Sequence, residues 1–215
     1  YGSWPSPITA ERAAAGTRRF GSIQATREHV WWTESRPEEK GRQVIYRAGA
    51  DGKVEDVLPA PYSARSGVHE YGGGEFLATD EAVYFIDTAD TEIYTFVPGQ
   101  RVKRLTAAEG LRFADMQFDA SRKRLIAVAE RHAKDHHPEN LLVTIGLDGV
   151  ATGDIVELTQ GMSFLASPRI SKDGKKIAFL AWSLPDMPWD SAALYVADLK
   201  GAGLGRTRRI AGGAN

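Results

Sequence analysis

The sequence contains no cysteine, which excludes disulfide bonds, thiolate metal sites and a cysteine nucleophile. It also has no apolar run long enough to span a membrane. Neither a phosphate-binding Gly-x-x-x-x-Gly-Lys-Ser/Thr loop nor the Gly-x-Ser-x-Gly turn of serine hydrolases is present. We therefore predict no catalytic residue within this chain, no cofactor and no activity of the 215-residue chain alone.

The sequence lacks an excess of charge of either sign: it has 27 basic and 28 acidic residues, and its formal net charge is −1. No global field favours a nucleic acid or an anionic membrane, and neither is expected as a partner. The start, Tyr1-Gly2-Ser3-Trp4-Pro5, has neither an initiator Met nor the features of a signal peptide. We expect a trimmed chain, or a piece of a longer one, with a cytoplasmic location.

What the sequence does have is a repeat. The strand-like runs "EHVWWTES", "EAVYFIDT", "KRLIAVAE" and "KKIAFLAW" recur roughly every 50 residues, and two further series of apolar runs keep the same spacing. The runs are rich in Val, Ile, Tyr and Trp and alternate as strands do, whereas paired helices would place apolar residues three and four apart. About four short strands per unit are typical of a β-propeller blade.

The predicted fold is therefore all-β, a partial propeller of about four blades, each of four antiparallel strands, over 20–215. A preceding segment, 1–19, contains one helix candidate, Ala10–Ala15, with Thr9 as its cap. The predicted blades span 20–61, 71–106, 113–159 and 164–211. Asp-Gly hairpin turns fall on one face of such a propeller, and the longer, chemically richer loops fall on the other.

Two of those loops supply the candidate site residues. In "VHEYGGGEF", Glu70 and Tyr71 precede three glycines, which tolerate unusual backbone angles and close packing. The stretch is interpreted either as a tightly packed corner between blades or as a substrate-facing Glu70. In "PDMPWD", Asp186, Trp189 and Asp190 form either a self-capped loop or the anionic, aromatic wall of a substrate cavity.

A third loop carries His132, Asp135, His136 and His137, whose spacing allows metal ligation. No His-Glu-x-x-His pattern accompanies them, so a solvated polar loop is favoured and no metal is predicted.

Four longer stretches resemble one known family. "SPITAERAAAGTRRFGSIQ", "SARSGVHEYGGGEF", "RFADMQFDASRKRLIAVAERH" and "SPRISKDGKKIAFLAWSLPDMPWDSAALYVADL" are similar to the N-terminal propeller of serine peptidases of the prolyl oligopeptidase family, in its acylaminoacyl-peptidase and dipeptidyl-peptidase-like branch. The resemblance covers nearly the whole chain. It implies a seven-bladed propeller followed by an α/β-hydrolase domain with a Ser-Asp-His triad, and no position of this chain matches that triad.

The resemblance implies that the chain is the propeller of a serine exopeptidase, which gates access to the active site of a hydrolase domain and helps bind short or N-terminally blocked peptides. The alternative is a stand-alone propeller that binds a protein or ligand without chemistry. A third hypothesis is a propeller enzyme with a metal among His132, His136 and His137. Four blades of a seven-fold ring form an open arc, so self-association of the chain is also expected.

Overall fold

The computed structural model describes residues 5–10, 12, 16–132, 137–147, 154–159, 161–201 and 203–213. Within them lie four sheets, each of four antiparallel strands. The first two sheets contain β1 Phe20–Ala25, β2 His29–Arg36, β3 Arg42–Gly49 and β4 Val54–Asp56, then β5 Phe76–Ala78, β6 Val83–Ile86, β7 Ile93–Phe96 and β8 Lys103–Arg104. The last two contain β9 Leu111–Asp119, β10 Arg124–Arg131, β11 Glu139–Gly146 and β12 Ile155–Glu157, then β13 Phe164–Ile170, β14 Lys176–Trp182, β15 Ala193–Asp198 and β16 Arg208–Gly212.

Every sheet is a simple meander in which strands consecutive in sequence are hydrogen-bonded neighbours. The first strands of successive sheets, β1, β5, β9 and β13, lie next to one another. The predicted fold class, a partial β-propeller of four four-stranded blades, is confirmed. Helix is scarce in the described residues: a 3-10 turn at Pro37–Glu39 and the four-residue α1, Pro188–Ser191.

The helix expected over Ala10–Ala15 falls mostly outside the described residues and is not supported. Thr9 does accept, at Oγ1, a 3.1 Å hydrogen bond from the backbone N–H of Arg12, which is the contact expected of a capping threonine.

The hydrophobic core lies between neighbouring blades, and the two faces of β10 illustrate this arrangement. Successive side chains of a strand point to opposite faces. Leu125 and Ala127 pack toward the second blade, among residues such as Ile93, whereas Ile126 and Val128 pack toward the fourth, against residues such as Phe179. Because both faces of the sheet are covered, the strand appears in the sequence as a nearly continuous apolar run.

Polar side chains also join the blades. Glu75, in the second blade, accepts hydrogen bonds from the hydroxyls of Ser22 (2.7 Å) and Thr33 (2.6 Å) in the first. Asp119, in the third blade, pairs with Arg122 and Arg124, whose guanidinium groups donate to backbone carbonyls of the fourth. The blades are therefore fixed to one another by buried charges as well as by apolar packing.

The turns separate two unlike faces, as the sequence predicted. Asp51-Gly52 joins β3 to β4, and Asp173-Gly174 joins β13 to β14. The link that holds Glu70 and the loop between β14 and β15 open on the other side of the strands. No helix among the described residues has the length and apolar character needed to cross a membrane.

Candidate functional site

The link between β4 and β5 holds its backbone in an unusual shape at Glu70. His69 and Glu70 both adopt left-handed angles, with φ of 56° and 66°, and Gly72, Gly73 and Gly74 also have positive φ. Two consecutive non-glycine residues in this region cost free energy that the surrounding contacts must offset. At Gly74, a Cβ would lie 2.6 Å from the backbone N of Asp115, so only glycine fits. The stretch is a packed corner that aims Glu70 in a fixed direction.

His69 anchors that corner. Its backbone N–H donates to Oε1 of Glu130 at 3.2 Å, and its Nε2 lies 2.8 Å from Oδ1 of Asn140. Because an amide oxygen only accepts, Nε2 carries the proton. The ring stands edge-on to Trp182, with centroids 5.4 Å apart, and to Phe164, at 5.5 Å. These contacts bind the link to both the third and the fourth blade.

Glu70 itself points outward. Its side chain is 78% exposed, and its Oε1 accepts a 2.8 Å charge-assisted hydrogen bond from Arg112 of β9. Arg112 is held in turn by the backbone carbonyl of Gly67, to which it donates at 3.1 Å. Arg112 thus fixes the carboxylate through one oxygen and leaves Oε2 for another partner.

A second carboxylate lies beside the first. Glu130, near the end of β10, has a side chain that is only 3% exposed, and its Oε2 lies 2.8 Å from Nε2 of His132. One donor atom from each of Glu70, Glu130 and His132 lies within 4.8 Å of the other two. An exposed and a buried carboxylate therefore converge on one small region.

Tyr71 borders that region with a ring that is 66% exposed. Its hydroxyl lies 3.4 Å from Nδ1 of His69. Burial of the hydroxyl, followed by the negative charges of Asp115 and Glu130, raises the pKa of Tyr71 above its usual value. The phenol thus lies in a negative field, which also favours a bound cation.

The other three candidate residues, Asp186, Trp189 and Asp190, lie in the loop between β14 and β15, apart from Glu70 and Tyr71. Oδ2 of Asp190 accepts the backbone N–H of Met187 at 3.2 Å, so this carboxylate caps α1. Trp189 is 76% exposed, and Asp186 is half-buried. Among the described residues, no hydrogen bond, ion pair or ring contact connects these three with Glu70 or Tyr71. The two loops are joined instead through His69 and Trp182.

The predicted histidine cluster is only partly visible, since Asp135 and His136 lie outside the described residues. His137 is exposed, while His132 turns toward Glu130 and Glu70.

A cavity of about 500 Å³ lies along the first strands of the blades. Its lining includes polar groups of three blades, among them Ser22, Gln24, Asp115 and Arg169. The backbone N–H of Ser167 donates to Asp115 at 3.0 Å, which ties the third and fourth blades beside this cavity.

Sequence reasoning missed Arg112, Glu130 and Asn140. The sequence does offer one indication of Glu130, because an acidic residue directly follows the buried apolar run of β10. A buried charge at such a position requires a partner.

No protein-family model and no curated protein matches the sequence. Solved structures do match. A puromycin-hydrolysing peptidase of Mycobacterium tuberculosis is 34% identical, with a TM-score of 0.87 over 99% of this chain. A puromycin hydrolase is 32% identical, with a TM-score of 0.89, also over 99% of this chain. TolB from Acinetobacter baumannii is 19% identical with a TM-score of 0.63, and shows the fold alone.

The chain spans 35% of the length of each of the two puromycin-hydrolysing structures. The matched part of those proteins is their N-terminal propeller. The strand order of the blades and the identity of about one third support the same assignment. The chain therefore corresponds to the N-terminal propeller part of the puromycin-hydrolysing peptidases of the prolyl oligopeptidase family.

Proposed function

We propose that this propeller belongs to a peptidase that removes residues from the N-terminus of short peptides or hydrolyses related aminoacyl amides, and that Glu70 and Glu130 bind the substrate's N-terminal ammonium. The observation that carries the proposal is the convergence of these two carboxylates within 4.8 Å. Support for the reaction class comes from the similar proteins, which are named for puromycin hydrolysis. One of them is described in complex with PGG.

An ammonium suits this geometry. It presents three donors around one charge, and a charge-assisted hydrogen bond to a carboxylate is about twice as strong as a neutral one. Oε2 of Glu70 is available, because Arg112 contacts Oε1. Arg112 contributes in a second way, since its ion pair restrains the exposed Glu70 side chain without fixing it fully and so lowers the entropy lost on binding.

The binding of a charged ammonium also indicates which branch of the family the parent peptidase belongs to. An acylated N-terminus has neither the charge nor the donors to satisfy two carboxylates, so we favour a free N-terminus, as in a dipeptidyl- or aminopeptidase, over an acylaminoacyl substrate. The propeller's second role in this proposal is to gate the path to a hydrolase domain of the same parent chain, with the polar cavity along the first strands accepting the extended peptide. A cytoplasmic location remains part of the proposal.

Replacing Glu70 with Gln in the complete peptidase tests the ammonium site. The glutamine side chain keeps an oxygen for Arg112 but removes the negative charge, so kcat/KM for free-amine substrates should fall about 10- to 100-fold, the equivalent of about 1.5–3 kcal/mol. Steady-state kinetics with an aminoacyl chromogenic substrate gives the number. Glu81→Gln, an exposed acid on the face with the hairpin turns, is the matched control.

The other acids decide the outcome if Glu70→Gln keeps wild-type kinetics. A loss with Asp186→Asn or Asp190→Asn alone would move the substrate site to the loop between β14 and β15. If none of the three substitutions changes kcat/KM, the acids are structural and do not bind the substrate.

We also propose that the 215-residue chain self-associates. Phe20 and Ile23 of β1 are each 73% exposed, and Ile210 of β16 is 52% exposed. These residues lie on the first and last sheets, where propeller blades bury such groups against a neighbour. Sedimentation velocity at micromolar concentration should show a species larger than a monomer. A strictly monomeric, cooperatively melting chain would favour the stand-alone module.

A further inference from the structure

A mixed cluster of three potential metal ligands lies where the link between the first and second blades packs against the third blade. It consists of an imidazole nitrogen of His132 and one carboxylate oxygen each of Glu70 and Glu130. Glu70 and Glu130 are 60 positions apart in the sequence, so the cluster exists only in the folded chain. We propose that these three side chains form a zinc-binding site, which goes beyond the binding of a substrate ammonium; zinc and the ammonium would compete for the same two carboxylates.

The donor set fits zinc by type and by distance. Zinc accepts histidine nitrogen and carboxylate oxygen, with bonds of about 2.0–2.2 Å, and its tetrahedral geometry places neighbouring donors about 3.3 Å apart. The Glu130 and His132 donors are now 2.8 Å apart, and all three donors lie within 4.8 Å of one another. Shifts of about 1 Å or less at each side chain reach the required spacing, and the exposed Glu70 has the freedom to make the largest one.

Two of the ligands are already held in place. The backbone of Glu130 is fixed by pairing with Asn140 of β11 and with Arg112 of β9. The backbone N–H of His132 donates to the carbonyl of Gly110 at 2.9 Å. Preorganised ligands lose little entropy when a metal binds, so the site needs to order only Glu70.

The cluster has two carboxylates and one guanidinium, that of Arg112, which pairs with Glu70, and the remaining negative charge favours a cation. Glu130 is buried, and its one ion-pair partner among the described residues is the imidazole of His132, which is cationic only when protonated. A zinc ion bound at Nε2 of His132 would take the place of a proton at that atom, and the imidazole would ligate in its neutral form.

A buried donor beside Glu130 has no partner among the described residues. Nδ2 of Asn140 is fully buried and has no hydrogen-bond partner among the described residues. Asn140 lies directly opposite Glu130 in the β10–β11 ladder, so both side chains are on the same face of the sheet. An unmet buried donor is costly, and a bound ion that carries water offers it an acceptor. Three protein ligands leave a fourth zinc position for that water.

Isothermal titration of the metal-free, untagged 215-residue chain with ZnCl₂ tests the site. We expect one zinc ion per chain and at least tenfold weaker binding in both His132→Gln and Glu130→Gln, since even substitutions outside the ligand shell of zinc sites weaken binding 10- to 100-fold. His29→Gln, a histidine on β2 outside the cluster, should bind zinc as the wild type does. A large excess of Mg²⁺, which prefers all-oxygen octahedral sites, should not compete.

A stoichiometry below one half, or an unchanged affinity in His132→Gln, would overturn the proposal. Circular dichroism shows whether the buried Glu130→Gln change still permits folding. If it does not, His132→Gln decides, because the His132 side chain is 29% exposed and is not a core residue. The titration contains no substrate, so its result does not depend on whether Glu70 binds a peptide N-terminus.

Discussion

Replacement of Asp119 with alanine is expected to lower the free energy of unfolding by about 3–5 kcal/mol. The Asp119 side chain is 1% exposed and accepts hydrogen bonds from Arg122 and Arg124 at 3.0–3.1 Å. Without it, Arg124, whose side chain is 11% exposed, keeps a buried charge with no carboxylate partner. Breaking a buried pair in this way is far more costly than losing a pair at the surface.

The loss extends beyond one blade. Arg122 donates to the backbone carbonyls of Gly174 and Leu199, and Arg124 donates to that of Gly201, so the carboxylate orients the side chains that hold the fourth blade to the third. Urea denaturation followed by tryptophan fluorescence measures the change. Asp198→Ala, which removes an exposed pair with Lys176, is the control and should change little. Equal effects of the two substitutions would contradict the account of inter-blade charges.

Acetylation of the substrate's N-terminus is expected to reduce kcat/KM of the complete peptidase by at least about 10- to 100-fold. The acetyl group removes the positive charge and two of the three donors of the ammonium. Glu70 and Glu130 then face a neutral amide, and the buried Glu130 loses a partner for its charge. The comparison needs one peptide in two forms and no variant. Equal or faster hydrolysis of the acetylated peptide would favour an acylaminoacyl-peptidase.

The fold was predictable because its determinants are local and repeated. The alternation within each strand and the spacing of about 50 residues survive in the sequence without any knowledge of packing. The run from Leu125 to Ala129 even reveals that both faces of its sheet are covered, since none of its positions is polar. The Ala10–Ala15 helix is not supported, since most of that segment lies outside the described residues.

The site could be predicted only in part, because some of its contacts join residues that are distant in the sequence. Glu70 and Tyr71 were identified because three glycines mark their backbone as unusual. The proximity of Glu130 and His132 to Glu70 depends on the register of β10 against β9 and β11 and on how the link packs against the third blade, and neither leaves a local pattern. For Asp190 the sequence left two alternatives, a cap within the loop or a substrate ligand, and the structure shows a capping contact.

The central claim is that the propeller presents a carboxylate pair to the substrate's free N-terminus. The ratio of kcat/KM for a free peptide to that for its acetylated form, measured in the wild type and in Glu70→Gln, tests it most directly. A ratio that is large in the wild type and falls at least about tenfold in Glu70→Gln is the predicted result, because the variant loses selectivity for the charge while the rest of the site is kept. An identical ratio in both proteins would contradict the claim.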